Sequence, residues 1–198
     1  MKRIVLIGLL ALALPMAAFA GSITDYTNAE GTVTGSSAGL TLSGAVLVAV
    51  TGFAPGNLGT VAFTTGSFVG TSGNVSTFNG GGSFTITGNG TDGLTNGTIF
   101  SGSFVGPVTA TLEPTADCVG GSPCYKIEGS LSGTLNGHAA SGFTFEQYVS
   151  TTANGLYGPS IAASGDTFLA PVPEPGTLGL LGTGLVGLAG IVRRKLKA

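Results

Sequence analysis

Two cysteines near the middle of the chain are the first residues that could carry chemistry. Cys118 and Cys124 are the only cysteines, and the segment between them contains Gly120-Gly121 and Pro123. An even cysteine count in an exported chain, which the two chain ends indicate below, is typical of a disulfide. A metal site would need more ligands, and His138 is the one histidine that could supply a nitrogen. The sequence therefore predicts a disulfide between Cys118 and Cys124 and no metal site.

A serine in a glycine-rich segment could act as a nucleophile. Gly35-Ser36-Ser37-Ala38-Gly39 matches the pattern G-x-S-x-G of hydrolases, in which the serine stands on a turn between a strand and a helix. Here a predicted strand, residues 40–50, follows the serine instead of a helix. The one candidate base is His138, which lies in the turn sequence Asn136-Gly137-His138. The pattern favours a turn serine and a surface histidine, so no catalytic residue is predicted.

Two further patterns could bind ligands. Residues 88–94 resemble one calcium-binding repeat of RTX proteins, but those sites need stacked tandem copies and the chain has one, which favours a hairpin loop. Four tyrosines could stack against sugar rings, although the chain has no tryptophan and core packing explains tyrosines more simply. No cofactor is predicted, and sugar binding remains an alternative. The tyrosines are Tyr26, Tyr125, Tyr148 and Tyr157.

The elements that would position these residues are β-strands. No segment shows apolar residues at helical spacing, whereas several alternate with period two. In residues 125–135, Gly129 and Gly133 fall on the apolar face, where they would allow a bulge or close packing. Turn signals such as Asn96-Gly97 and Asn136-Gly137 separate the segments. The predicted strands are residues 40–50, 60–69, 82–87, 98–105, 108–113, 125–135 and 142–150.

Residues 21–170 are predicted to form one all-β domain, an antiparallel sandwich or barrel. About 150 residues can build a hydrophobic core, and eleven phenylalanines argue against disorder. Residues 21–172 contain one base, Lys126, against eight acids, which gives a side-chain charge of −7. Nucleic acid is therefore excluded as a partner, because phosphate binding requires Lys and Arg.

The first twenty residues have the composition of a secretory signal peptide. Lys2 and Arg3 precede the apolar residues 4–14, and Ala18-Phe19-Ala20 fits the small-x-small rule for signal peptidase. Cleavage is expected after Ala20, so that the mature chain begins at Gly21.

The C-terminal end, residues 171–198, combines three features in a fixed order. Pro173-Glu174-Pro175 comes first and favours an extended backbone. The 17 uncharged residues 176–192 follow, and as a helix they would span about 25 Å, near the lower limit for crossing a bilayer. The sequence therefore predicts a transmembrane helix that stops at a cytoplasmic basic end. The basic residues of that end are Arg193, Arg194, Lys195 and Lys197.

This end of the chain resembles the PEP-CTERM sorting signal of Gram-negative bacteria. The resemblance covers about the last 26 residues and says nothing of residues 21–170. It implies recognition by exosortase, an integral-membrane cysteine protease or transpeptidase, and delivery to the cell surface or the exopolysaccharide matrix. A permanent single-pass anchor that no enzyme processes is the alternative.

These features favour an exported, non-enzymatic protein with a structural or adhesive role. The expected partners are signal peptidase, exosortase and the inner membrane, with exopolysaccharide as a further candidate. The chain would be a single-pass inner-membrane protein before processing and would reach the cell surface or extracellular matrix afterwards. A carbohydrate-binding module on the same anchor is the alternative. A secreted hydrolase is the weakest candidate, since no acid–base pair can be assembled from the sequence.

Overall fold

Side chains along most of the chain alternate between a buried and an exposed face, as β-strands require. The computed structural model describes residues 22–114, 118, 123–150 and 160–172, together with 182, 184, 185 and 187; the side chains of 149, 150 and 160–163 fall outside this description. Residues Ile23–Ala170 form one compact unit. The strands in the described part are β1 (Thr24–Ser36), β2 (Gly39–Val50), β3 (Gly59–Thr64), β4 (Phe68–Ser72), β5 (Val75–Phe78), β6 (Gly81–Asn89), β7 (Asn96–Phe104), β8 (Val108–Glu113), β9 (Cys124–Leu135), β10 (His138–Ser150) and β11 (Ser160–Pro171).

Eight of these strands close into an antiparallel barrel. The hydrogen-bonded order is β10-β11-β1-β2-β3-β6-β7-β9, and β9 pairs with β10 along its whole length. Closure removes the open edges that an unclosed sheet would present to other chains. The all-β prediction is confirmed. Of its two alternatives the barrel is correct and the sandwich is wrong, because the sheet closes on itself.

The other three strands extend the sheet at the side of the barrel. One edge of β9 pairs with two different strands. Its residues 131–135 pair with β7, and its residues 124–128 pair with β8. β8 then pairs with β5, and β5 pairs with β4, which ends the order. The strand predicted over residues 60–69 is therefore two strands, β3 in the barrel and β4 in the extension. Thr65 lies at the break, where its hydroxyl accepts a hydrogen bond from the Leu40 N–H at 2.9 Å.

Phenylalanine side chains fill one part of the barrel interior. Phe63 lies 5.8 Å from Phe84 and 5.6 Å from Phe104, measured between ring centroids. Stacked and edge-to-face pairs of this kind add to the stabilisation from burial alone. A Cβ on Gly129 would come within 2.6 Å of the Phe104 ring. The predicted close packing at Gly129 is thus confirmed, and β9 pairs with β10 without a register shift, so no bulge is present there.

The predicted Asn136-Gly137 turn joins β9 to β10 as a two-residue hairpin. Asn136 has φ 49° and Gly137 has φ 85°, both in the left-handed region that such turns require. Asn96-Gly97, in contrast, begins β7, so its prediction as a separating turn was wrong. The chain reverses earlier, at the 3₁₀ turn Thr91–Gly93, where Asp92 has φ 54°.

Candidate functional site

The two cysteines form the predicted disulfide. Cys118 and Cys124 are bonded, with their Cα atoms 5.6 Å apart. The bond ties the segment that follows β8 to the first residue of β9, and Cys124 is fully buried. Among the described residues, no group of three His, Cys, Asp or Glu side chains is placed to hold a metal ion.

The serine of the G-x-S-x-G pattern lies in a hairpin. Ser37 and Ala38 form the turn between β1 and β2, so a strand follows the serine, as predicted. The hydrolase arrangement needs a helix at this point. His138 is the exposed first residue of β10. A shallow depression of about 210 Å³ adjoins the turn, and none of its lining residues, Ser36, Ala38, Gly39, Leu40, Thr41, Thr64 and Thr65, carries a titratable side chain.

The other predicted ligand-binding patterns lie in a loop and in the core. Residues 88–94 comprise the end of β6 and the turn that leads to β7, and in them Asn89 Oδ1 accepts a hydrogen bond from the Thr91 N–H at 3.0 Å. This is the hairpin loop that the sequence favoured. Tyr26 and Tyr148 are buried, and Tyr125 stacks on Tyr148 with ring centroids 5.5 Å apart. These three tyrosines pack in or against the core, while Tyr157 lies outside the described residues.

A group of polar side chains occupies the barrel interior along β10, β11 and β1. We call it the interior polar cluster. Glu146 Oε2 accepts a hydrogen bond from Asn28 Nδ2 at 2.9 Å. The hydroxyls of Thr144 and Thr167 lie 2.8 Å apart. The cluster consists of Asn28, Thr144, Glu146, Tyr148 and Thr167, each 0% exposed.

A glycine makes room for the buried carboxyl group. Gly165 on β11 lies opposite Asn28 on β1 and beside Glu146 on β10. A Cβ at Gly165 would overlap the Glu146 carboxylate. The absence of a side chain at residue 165 therefore lets the glutamate lie inside the barrel wall and reach Asn28.

Burial changes the acidity of Glu146. The pKa of Glu146 is raised to about 8. Loss of solvation is the largest cause, the hydrogen bond from Asn28 lowers the pKa by a smaller amount, and the nearby charge of Asp166 adds to the rise. At pH 7 the side chain is therefore a neutral acid that can donate a hydrogen bond. The sequence patterns did not single out this residue. A signal was present, because the register of the β9–β10 hairpin pairs Glu146 with buried Ile127.

The outer surface carries a second arrangement of polar groups. The hydroxyls of Thr64 and Ser83 are hydrogen-bonded at 3.0 Å across β3 and β6. On the next strands Ser103 stands directly opposite Ser132. β3, β6 and β7 contain no charged residue. The outer hydroxyl face, as we call it, comprises Thr64, Ser83, Thr85, Ser101, Ser103, Ser132 and Thr134.

An aromatic patch lies on another part of the outer surface. Phe145 on β10 and Phe168 on β11 are stacked with ring centroids 6.1 Å apart, and both are partly exposed. Phe143, two residues before Phe145, is 38% exposed. We call these three residues the outer phenylalanine group.

Most residues of the chain ends that carry the predicted export signals lie outside the described part of the chain. At the N-terminus these are residues 1–21, with the cleavage residues Ala18, Ala20 and Gly21. Of the predicted span 176–192, four residues are described and have helical backbone. Within the part of the chain that the structure covers, no helix is long and apolar enough to cross a membrane. The C-terminal residues outside the description include Pro173, Glu174, Pro175, Arg193, Arg194, Lys195 and Lys197.

Comparison with known proteins identifies the C-terminal end of the chain. No curated protein and no solved structure matches the chain. A protein-family model does match, over residues 171–195, and describes the PEP-CTERM protein-sorting motif. The matched residues include the Pro-Glu-Pro sequence, the uncharged span and the start of the basic end. The chain therefore carries a PEP-CTERM protein-sorting motif, which implies an exported protein that is held in the membrane and then processed by exosortase.

Proposed function

We propose that the mature protein is a non-enzymatic component of the cell surface or the exopolysaccharide matrix, with a structural or adhesive role. The sorting motif at residues 171–195 is the observation that carries the proposal, because it implies export and processing by exosortase. Signal peptidase acts at the N-terminus and exosortase at the C-terminus, and the barrel is the part that stays in the matrix.

The outer hydroxyl face supports an adhesive role towards polysaccharide. Serine and threonine hydroxyls both donate and accept hydrogen bonds, as sugar hydroxyls do. They line neighbouring strands, with Ser101 opposite Thr134 and Ser103 opposite Ser132. Because no charge interrupts β3, β6 and β7, this face can contact neutral or acidic polysaccharide without burying an unpaired charge.

A matched pair of double variants tests the adhesive role. Ser103→Glu with Ser132→Glu places two charges on the outer hydroxyl face. Thr32→Glu with Ser43→Glu places two charges on an opposite pair of β1 and β2, also on the outside of the barrel. The measurement is co-sedimentation of the mature protein with exopolysaccharide from the producing cells. We expect the first variant to lose at least tenfold in binding and the second to bind like the unsubstituted protein. Equal binding by all three proteins would contradict binding through the outer hydroxyl face, and no binding by the unsubstituted protein would contradict the adhesive role.

A carbohydrate-binding module is the second candidate, and the outer phenylalanine group favours it. Exposed aromatic rings can stack on the apolar faces of sugars, and Phe143, Phe145 and Phe168 form a short strip across two strands. Phe143→Ala should then weaken the binding of short oligosaccharides in calorimetry. Val69→Ala, at an exposed apolar side chain on β4, serves as the control. Retention of binding by Phe143→Ala would exclude this strip as the sugar site.

A further inference from the structure

Three polar atoms of the interior polar cluster lack a hydrogen-bond partner among the described residues. They are Asn28 Oδ1, Glu146 Oε1 and Tyr148 Oη. The residues that carry them are 0% exposed, so bulk solvent does not reach them. An unpaired buried polar group is unfavourable because it has lost its hydrogen bonds to water, and folded proteins therefore pair nearly all of them. Three such atoms in one cluster indicate that another molecule supplies the missing partners.

The three atoms belong to one region of the interior. Glu146 and Tyr148 are alternate residues of β10, so their side chains leave the same face of the strand about 7 Å apart. Asn28 reaches Glu146 from β1 past Gly165, and its Nδ2 lies 2.9 Å from Glu146 Oε2. Its unpaired Oδ1 is bonded to the same amide carbon as that nitrogen. One small molecule can therefore contact both Asn28 Oδ1 and Glu146 Oε1, and the Tyr148 variant below tests whether it also reaches Tyr148 Oη.

The missing partner must both donate and accept hydrogen bonds. Asn28 Oδ1 can accept a hydrogen bond but has no proton to donate. Glu146 is a neutral acid below about pH 8, because burial raises its pKa, and its unpaired oxygen can carry the proton and donate it. The Tyr148 hydroxyl can do either. An anion would leave Asn28 Oδ1 without a donor and would be repelled by the nearby charge of Asp166. A metal ion would find no group of three His, Cys, Asp or Glu side chains among the described residues.

We propose that the interior polar cluster binds one small uncharged molecule with a hydroxyl group, either water or a small alcohol, between Asn28, Glu146 and Tyr148. Water is the smallest molecule of this class, and a buried water typically makes about three hydrogen bonds. The complete burial of the three side chains excludes a polysaccharide chain, which would have to extend to solvent. The site is thus distinct from both outer surfaces.

The test uses the mature protein purified from cells that export it, at a pH well below 8 so that Glu146 is neutral. Native mass spectrometry compares the protein as purified with the same protein after unfolding and refolding in buffer. An added mass that refolding removes identifies a small alcohol. Oxygen-17 relaxation dispersion of the refolded protein detects long-lived internal water. Either signal supports the proposal, and the absence of both in the folded, unsubstituted protein overturns it.

Two tyrosine variants locate the signal. Tyr148→Phe removes one of the three partner atoms and should lose the signal. Tyr125→Phe is the matched control, because Tyr125 is the stacked neighbour of Tyr148 and its hydroxyl is not among the unpaired atoms. A signal that Tyr148→Phe leaves unchanged overturns the proposed position. If Tyr148→Phe does not fold, Glu146→Leu serves as the second variant, because leucine has a comparable volume and no hydrogen-bonding groups. Glu146→Leu should also lose the signal, and a signal that this variant retains counts against the site.

Discussion

Of the acidic side chains that the structure describes, Glu146 is the one whose surroundings differ most from water. It is fully buried, contacts Asn28, and lies where Gly165 leaves space. Removal of a carboxyl group from water favours its neutral form, so the fold keeps a proton on Glu146 that the unfolded chain releases. The stability of the fold should therefore depend on pH through this side chain.

Glu146→Gln should reduce the loss of stability as the pH rises from about 4.5 to about 8. In this window the unfolded chain has released the proton at its ordinary pKa of 4.5, while the folded protein retains it up to about pH 8. Since the folded state binds more protons, the free energy of unfolding falls with rising pH, by at most about 1.4 kcal/mol per pH unit. Below this window both states carry the proton, and above it neither does.

Urea unfolding of both proteins at several pH values measures this slope. Burial and the charge of Asp166 also raise the pKa of Asp25, which gives a contribution of the same sign. Asp25 is present in both proteins, so the difference between their slopes isolates Glu146. Identical slopes would contradict the assignment of a buried, protonated Glu146.

Gly165→Ala should destabilise the barrel by about 1–3 kcal/mol, the usual cost of forcing extra volume into a packed interior. The new Cβ would overlap the Glu146 carboxylate. Gly70→Ala is the control, because a Cβ there would meet no atom within 4 Å and Gly70 has no positive φ. Thermal unfolding measures both. Adding Glu146→Ala to Gly165→Ala should recover part of the loss, and no recovery would show that the cost arises elsewhere.

At the scale of elements, β10 shows how far the sequence predicts the structure. Its sequence alternates Phe143, Thr144, Phe145 and Glu146, and hydrophobic alternation alone would bury the phenylalanines. The structure does the opposite, with Thr144 and Glu146 inside and Phe143 38% exposed. The reason is the two-residue Asn136-Gly137 turn, which fixes the register so that Ile127 and Glu146 are opposite and share a face.

The other strands also divide into those that the sequence predicted and those that it did not. β2, β8 and β9 were predictable because they are rich in apolar residues, which alternate with polar residues over part or all of each strand. β1 and β11 were not predicted, because their buried faces include Asn28, Gly165 and Thr167, which read as surface or turn residues. The short β5 was missed as well. Barrel closure depends on β1 and β11, so the sequence could not choose between a barrel and a sandwich.

The disulfide belongs to this scale, since it constrains the connection between β8 and β9. Cys118→Ala with Cys124→Ala should lower the free energy of unfolding by about 2 kcal/mol, because the bond closes a short loop in the unfolded chain. The cysteines are six residues apart. Urea unfolding under oxidising and reducing conditions provides the measurement. A reductant should destabilise the unsubstituted protein and leave the double variant unchanged. A double variant as stable as the oxidised protein would contradict a stabilising bond.

At the scale of the whole molecule, the sequence was most informative at the ends and least informative about the barrel. The order of Pro-Glu-Pro, uncharged span and basic end identified the sorting motif, and the family match over residues 171–195 agrees. The role proposed for the barrel depends on surfaces that only the folded chain assembles, such as the outer hydroxyl face across four strands. Local patterns cannot reveal a surface whose residues are distant in sequence.

The central claim is that exosortase processes the C-terminal end. The most direct measurement is the length of the protein in cells that carry exosortase, with and without Pro173→Ala, Glu174→Ala and Pro175→Ala together. The unsubstituted protein should lose a C-terminal fragment of about 2 kDa, the size of a short span with its basic end. The triple variant should remain full length in the membrane fraction, as should the unsubstituted protein in cells without exosortase. If both proteins stay full length in cells that carry the enzyme, the end of the chain is only an anchor and the account is wrong.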